Sequence, residues 1–174
     1  ELEISPGNLY YHFRNKDAII EEIFRAFERE IEETLAAPEQ RAPDVEDTWL
    51  FLHILFELIG KYRFLYRDLN DLLSRNRTVE VHFGRILEHS VRTATKLCEG
   101  MVAVGQMRAD AHEIEALATN MVVVSTYWLS YEYVREPRKP AESLALGRGV
   151  YQVMAMVAPY FQGGARALFE KLAG

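Results

Sequence analysis

Ser5-Pro6-Gly7-Asn8-Leu9-Tyr10-Tyr11-His12-Phe13-Arg14-Asn15-Lys16-Asp17 reads as a short helix, a tight break and the start of a long helix. Ser5 suits an N-cap and Pro6 the first helical position. Leu9 and Phe13 are four apart, so they share a face that can anchor the helix in a small core. The remaining surface carries Gly7, Asn8, Tyr10, Tyr11 and His12, with Arg14 and Lys16 at its basic end. A short helix entering a DNA groove needs such a face of small, hydroxylated and amide-bearing groups.

The run Asn8-Leu9-Tyr10-Tyr11-His12-Phe13-Arg14-Asn15-Lys16 closely resembles the recognition helix and following turn of the TetR-type bacterial repressors. The match is dense over about a dozen positions. An apolar run of Ile19, Ile20, Ile23, Phe24 and Phe27 follows, as the long connecting helix of that family would. Carried over by position, the resemblance implies that Pro6, Gly7 and Tyr10 face the bases. Gly7 would admit the backbone closely, and Pro6 and Tyr10 would pack on thymine methyl groups. Ser5, Asn8, Tyr11, His12 and Lys16 would contact phosphates, with an adenine edge as the other role for Asn8. Taken without the motif, Tyr10 and Tyr11 read as ordinary core aromatics. A recognition helix comes second in its motif, yet only Glu1-Leu2-Glu3-Ile4 precedes Ser5. Two helices of ordinary length, roughly thirty residues, are therefore expected ahead of Glu1 in a complete reading head.

The 174 residues suffice for one sizeable domain plus the stub of another. Hydrophobic residues make up 49% and charged residues 26%, ordinary for a globular protein. A net charge of −6 excludes a protein that grips nucleic acid over its whole surface, but fits a basic reading head on an acidic body. Cys98 is the single cysteine, so one chain can build neither a disulfide framework nor a cysteine-based zinc site. Beside Leu97 and Met101 it reads as an inert buried thiol. No apolar run approaches the ~20 residues of a membrane span, and no signal-peptide pattern stands at the visible N-terminus. A cytoplasmic protein is expected.

The pattern is all-α throughout, without strand alternation, hairpin signals or repeats. Asn15 can cap a helix over 16–36 whose stripe is Ile20, Ile23, Phe24, Phe27, Ile31 and Leu35. Pro38 to Pro43 is a loop. Asp44 caps a helix over 45–60 that carries Trp49, Leu52, Phe56 and Ile59 and ends at Gly60. One or two short helices follow from Tyr62 to about Asn76, with aromatics plugging a helix junction while Arg67 and Asp68 point outward. Thr78 caps a long helix over 79–104, with Phe83, Ile86, Leu87, Ala94, Leu97, Met101 and Val104 as its buried stripe. Gly105 stops it. Asp110 caps a helix over 111–134, apolar on nearly all sides from Met121 to Leu129. Such a helix must be covered all round, by the core on one side and a second subunit on the other. Pro137 and Pro140 break the chain. Ser143 caps a helix over 144–158 rich in Ala and Gly, and Ala165 to Leu172 can close the fold. The resemblance extends to this layout: an aromatic-Arg-Asp-Leu stretch follows the second long helix in a subset of TetR-like regulators. The helices 111–134 and 144–158 are similar to the pair that makes the dimeric four-helix bundle of the family. Dimerisation would set two recognition helices about 34–36 Å apart, one per successive major groove.

Catalytic chemistry is not expected. His82 and His89 share a helix face but lie about 10 Å apart along it, too far for one directly ligated metal. His53 and Glu57 form a polar pair at i, i+4, and His112 stands solvated at a helix start. No Gly-rich phosphate loop, nucleophile elbow or partnered carboxylate pair is present. No metal or cofactor is expected. A small-molecule pocket between helices is expected, apolar with a few polar anchors. Its candidates are His53 and Phe56 on one helix, His89 on another, and Asn120, Val124 and Tyr127 on a third. The wealth of aromatic and Met side chains favours an apolar or aromatic effector.

The reading is a ligand-responsive homodimeric repressor. Residues 1–16 are the remnant of its helix-turn-helix, 17–36 its connecting helix and 37–174 its effector-binding and dimerisation domain. Its partners would be double-stranded operator DNA, a second copy and an effector, with no membrane. An effector would shift the helix over 16–36 and change the separation of the two reading heads. Two rivals stand beside it: a helical ligand-binding and dimerisation module without DNA binding, and a helical-bundle enzyme with a His and carboxylate metal site.

Overall fold

The computed structural model describes residues 16–37, 42–138 and 143–174. Residues 1–15, including the expected Asn15 cap, lie outside them. Every regular element among the described residues is helical. The first, α1 (Lys16–Ala36), buries Phe24, Phe27, Ile31 and Leu35, spaced three and four apart as one helix face requires. Ile20 is half-buried, whereas Ile23 lies outside that face and is exposed.

Helix α2 (Val45–Lys61) starts on Asp44, as its sequence indicates. The Asp44 carboxylate accepts from the Asp47 amide at 2.8 Å, and the Asp47 carboxylate accepts from the Asp44 amide at 3.1 Å. This reciprocal box satisfies two otherwise orphaned amides. The helix does not end at Gly60. It runs one residue further, to a C-cap at Tyr62. Gly60 serves packing instead: a Cβ there would sit 2.6 Å from Leu146 Cδ1.

Two short helices follow, α3 (Arg63–Arg67) and α4 (Leu69–Arg75). Leu65, Tyr66 and Leu69 are buried while Arg67 and Asp68 pair at the surface at 3.1 Å, as the sequence led one to expect. Helix α5 (Arg77–Ala103) is capped by Asn76, not by Thr78. Asn76 has extended backbone and its side chain accepts from the Val79 amide at 3.0 Å, which leaves Thr78 inside the first turn. Phe83, Ile86, Ala94, Leu97 and Met101 are buried along α5, Leu87 is half-buried, and Val104 is exposed just past its end. Gly105 ends this segment with φ +72, a backbone conformation that favours glycine.

Helix α6 (Ala111–Arg135) begins on a second reciprocal box, between Asp110 and Glu113. Then come α7 (Ser143–Val157), a 3-10 turn over Ala158–Tyr160 that contains Pro159, and α8 (Ala165–Ala173). The loop after α5 is fastened to the end of α7: Arg108 N–H donates to Tyr160 O, and Gln162 N–H to Gln106 O, both at 2.9 Å.

Helix α5 packs on both α1 and α6, α6 on α3 and α7, and α2 on α1, α7 and α8. One core results, running from Phe24 to Phe169. Among the described residues no helix is long and apolar enough to cross a membrane.

Two local features are testable. At Gly149 a Cβ would stand 2.2 Å from Phe56 Cε1 and 2.8 Å from Trp128 Cδ1, so α2, α6 and α7 meet where only hydrogen fits. Gly149→Ala is expected to lower stability in urea by about 1–3 kcal/mol despite alanine's better helix propensity. Gly84→Ala, in α5 with nothing within 4 Å, should raise it by about 0.5–1 kcal/mol. Equal effects at the two sites would refute the close approach. Cys98 is fully buried on α5, with its thiol 3.9 Å from Met121 Sδ. Burial, aided by Glu99, pushes that thiol up to about 12. At pH 8 it should resist a thiol reagent until the protein is unfolded; rapid labelling of the native protein would contradict this.

Candidate ligand cavity and the helix that borders it

Helix α1 is held against α5 at four levels. Asn76 Nδ2 donates to Glu21 Oε1 at 3.1 Å, His82 Nδ1 meets Glu28 Oε1 at 2.6 Å, and His89 Nδ1 meets Glu32 Oε2 at 2.5 Å. Thr93 Oγ1 donates to Leu35 O at 3.0 Å. Partner numbers rise together on both helices, so α1 and α5 run in the same direction. A further tether leaves the other side of α1, where Lys61 Nζ and the Tyr62 hydroxyl both donate to Glu30. Those donors hold the Glu30 carboxyl below the usual carboxylate range, Lys61 contributing most. Beneath the tethers, Phe27 packs against the rings of Tyr62, Tyr66 and Phe83.

One turn beyond Phe27, Ile31 of α1 borders a cavity of about 40 Å³. Helix α2 contributes Phe51, Leu52, Leu55 and Ile59 to its wall, and α3 contributes Tyr66. Ser90, Ala94 and Leu97 come from α5, and Met121, Val122, Ser125 and Thr126 from α6. The space is large enough for a few water molecules and far short of the roughly 300–1,000 Å³ of a typical ligand pocket. An organic ligand would have to move side chains to enter. Burial pushes the Tyr66 phenol well above its ordinary range, so it stays a neutral hydroxyl. The wall contains no Asp, Glu, Lys, Arg or His.

None of the six side chains singled out from the sequence for an effector is among those lining this cavity. Phe56 is buried deeper, against Gly149. The half-buried His53 ring stands edge-on to Trp49, with centroids 5.0 Å apart. His89 faces Glu32 in the α1–α5 seam. Asn120 and Tyr127 are exposed on the outer face of α6, and Val124 is half-buried. Of the i, i+4, i+7 stripe that made a ligand face in sequence, Val124 packs against the core and Asn120 and Tyr127 are exposed. The cavity-facing side of α6 is the one carrying Met121, Ser125 and Thr126. The sequence held one usable signal for it: adjacent hydroxyls, Ser125 and Thr126, inside the apolar run 121–129.

Of the residues expected at DNA, Ser5, Pro6, Gly7, Asn8, Tyr10, Tyr11 and His12 lie outside the described residues. Lys16 is described, exposed at the first position of α1. His82 and His89 each face a different carboxylate of α1, and no group of three or more His, Cys, Asp or Glu among the described residues is arranged to hold a metal ion.

Comparison with known proteins places this architecture. The TetR family model, described as bacterial transcriptional repressor, matches residues 26–169. The fold is similar to the crystal structure of a TetR-family transcriptional regulator from Marinobacter aquaeolei VT8, with a TM-score of 0.82 and 30% sequence identity. That similarity covers 98% of this chain and 84% of the other. No curated protein matches. With the family model running from the middle of α1 into α8 and a regulator of the family sharing the fold, the chain belongs to the TetR family of transcriptional regulators.

Proposed function

We propose that the protein is a homodimeric repressor that reads operator DNA with the segment containing Ser5 to Lys16 and releases it when a small molecule enters the cavity. The observation that carries this reading is Ile31. It belongs to α1, the helix that continues from the Tyr10-Tyr11-His12-Phe13 segment, and it is also a wall of the cavity. A ligand that alters the wall at Ile31 therefore acts on the helix joined to the reading head. It shifts the equilibrium only by its difference in affinity between the two positions of α1.

Dimerisation has separate support. Along α6, Val123, Tyr127, Tyr131 and Val134 recur at i, i+4, i+8 and i+11 and are 44–79% exposed. Four large apolar side chains on one open face exceed the scattered exposure usual on a monomer surface. Neighbouring α7 adds Tyr151, 45% exposed, and Gly147, which has nothing within 4 Å. The twofold pairing of α6 and α7 covers these groups. It also joins two weak half-site contacts into one strong one.

Full-length protein is expected to bind the DNA upstream of its own gene with an affinity that falls steeply as salt rises, since phosphate contacts release counterions. Val123→Asp should keep the helical circular-dichroism spectrum, sediment as a monomer at micromolar concentration, and lose about 100-fold or more in operator affinity. A variant that remains dimeric removes α6 from the interface. Sequence-indifferent binding by the parent protein removes the operator reading and favours a ligand-binding module without DNA recognition.

A further inference from the structure

Most serine and threonine hydroxyls among the described residues donate to a backbone carbonyl. Thr48, Thr34, Ser90, Thr95 and Thr119 each donate to a carbonyl four residues earlier on their own helix. Thr93 donates to Leu35 O. Ser125 and Thr126 do neither. Both are more than nine-tenths buried, 8% and 6% exposed, and neither side chain has a hydrogen-bond partner among the described residues. Both line the cavity beside Ile31. The Tyr66 hydroxyl, also in its wall, donates to no described group. The oxygens of these hydroxyls are not sealed off, so each can bond whatever fills the cavity.

Water can occupy the space; a ligand that displaced it would have to bond these hydroxyls, and the wall restricts its chemistry. A carboxylate or ammonium entering this space would lose its hydration and meet no opposite charge, because the wall holds none. A wholly apolar molecule would fill the space but leave Ser125 and Thr126 unpaired. Hydroxyls both donate and accept, so they suit a guest that does the same. Room is made by Met121 and the leucines of the wall; an unbranched thioether adapts its shape at small cost.

We propose that the cavity accepts a neutral, mainly apolar small molecule bearing a hydroxyl group, an alcohol or phenol, held by Ser125 and Thr126 on α6. The inference rests on reading the cavity as the effector site and names the class of effector. It also excludes charged amphiphiles of the same length.

The test uses 1-octanol, octanoate and octylammonium at equal concentration, below micelle formation. Thermal unfolding of the purified protein reads binding, followed by titration for affinity. Octanol is expected to raise Tm and the two ions to leave it unchanged. Thr126→Val, nearly isosteric, and Ser125→Ala should each weaken octanol by about 2- to 10-fold, the range for a lost neutral hydrogen bond. Both variants should retain the parent's unliganded circular-dichroism spectrum. Octanoate or octylammonium binding as well as octanol overturns the proposal. So does octanol binding that Thr126→Val and Ser125→Ala leave untouched, and so does the absence of any octanol effect. Operator binding is measured in the same preparations without octanol. Its survival alongside a failed octanol result overturns only the effector class, whereas its own failure overturns the repressor reading.

Discussion

The ring of Phe27 fastens α1 to the body of the fold. It is fully buried, with its centroid 5.3 Å from Tyr62, 5.7 Å from Tyr66 and 6.4 Å from Phe83. Helices α1, α3 and α5 and the junction residue Tyr62 therefore share one aromatic cluster. Burying such a side chain stabilises by about 1.5–3 kcal/mol, more than a solvent-screened ion pair such as Lys61 with Glu30 contributes. The aromatic face thus supplies the adhesion of α1. The polar tethers at Glu21, Glu28, Glu32 and Leu35 set its register along α5.

Much of this was legible because local chemistry dictates it. Asp44 and Asp110 sit three residues ahead of a carboxylate that can return the hydrogen bond, and both helices begin there. Of the stripe Ile20, Ile23, Phe24, Phe27, Ile31 and Leu35 read from spacing, the last four form the buried face of α1, Ile20 is half-buried and Ile23 is exposed. The start of α5 was misplaced because Thr78 and Asn76 are both good caps. Nothing local says which of the two keeps an extended backbone.

The cavity was less legible for a physical reason. Sequence spacing tells which residues share a helix face but not which way that face turns. On α6, apolar residues occur all round, so Asn120, Val124 and Tyr127 and Met121, Ser125 and Thr126 make equally plausible stripes. Packing against α5 chose the second for the interior and left Tyr127 outside. His82 and His89 illustrate the same limit. Their spacing ruled out a shared metal, but their partners, Glu28 and Glu32, are over fifty residues away in sequence.

The cavity's chemistry divides the labour of a ligand switch. Moving a two-state equilibrium from 1:99 to 99:1 needs about 5.5 kcal/mol of differential binding. A neutral hydrogen bond to Ser125 or Thr126 contributes about 0.5–1.5 kcal/mol each, so two fall short of that figure. Apolar burial supplies the remainder: at about 25 cal/mol per Å², roughly 100–200 Å² of ligand surface is needed. That is more surface than about 40 Å³ of free space offers, so in the proposed switch most of the binding free energy comes as the wall yields. In that switch, an opening that displaces Ile31 acts one turn from Phe27. On the proposed mechanism, the small size of the unliganded space is what couples occupancy to α1. A roomier cavity would bind the same molecule without disturbing the helix, and the hydroxyls would then select a ligand to no effect.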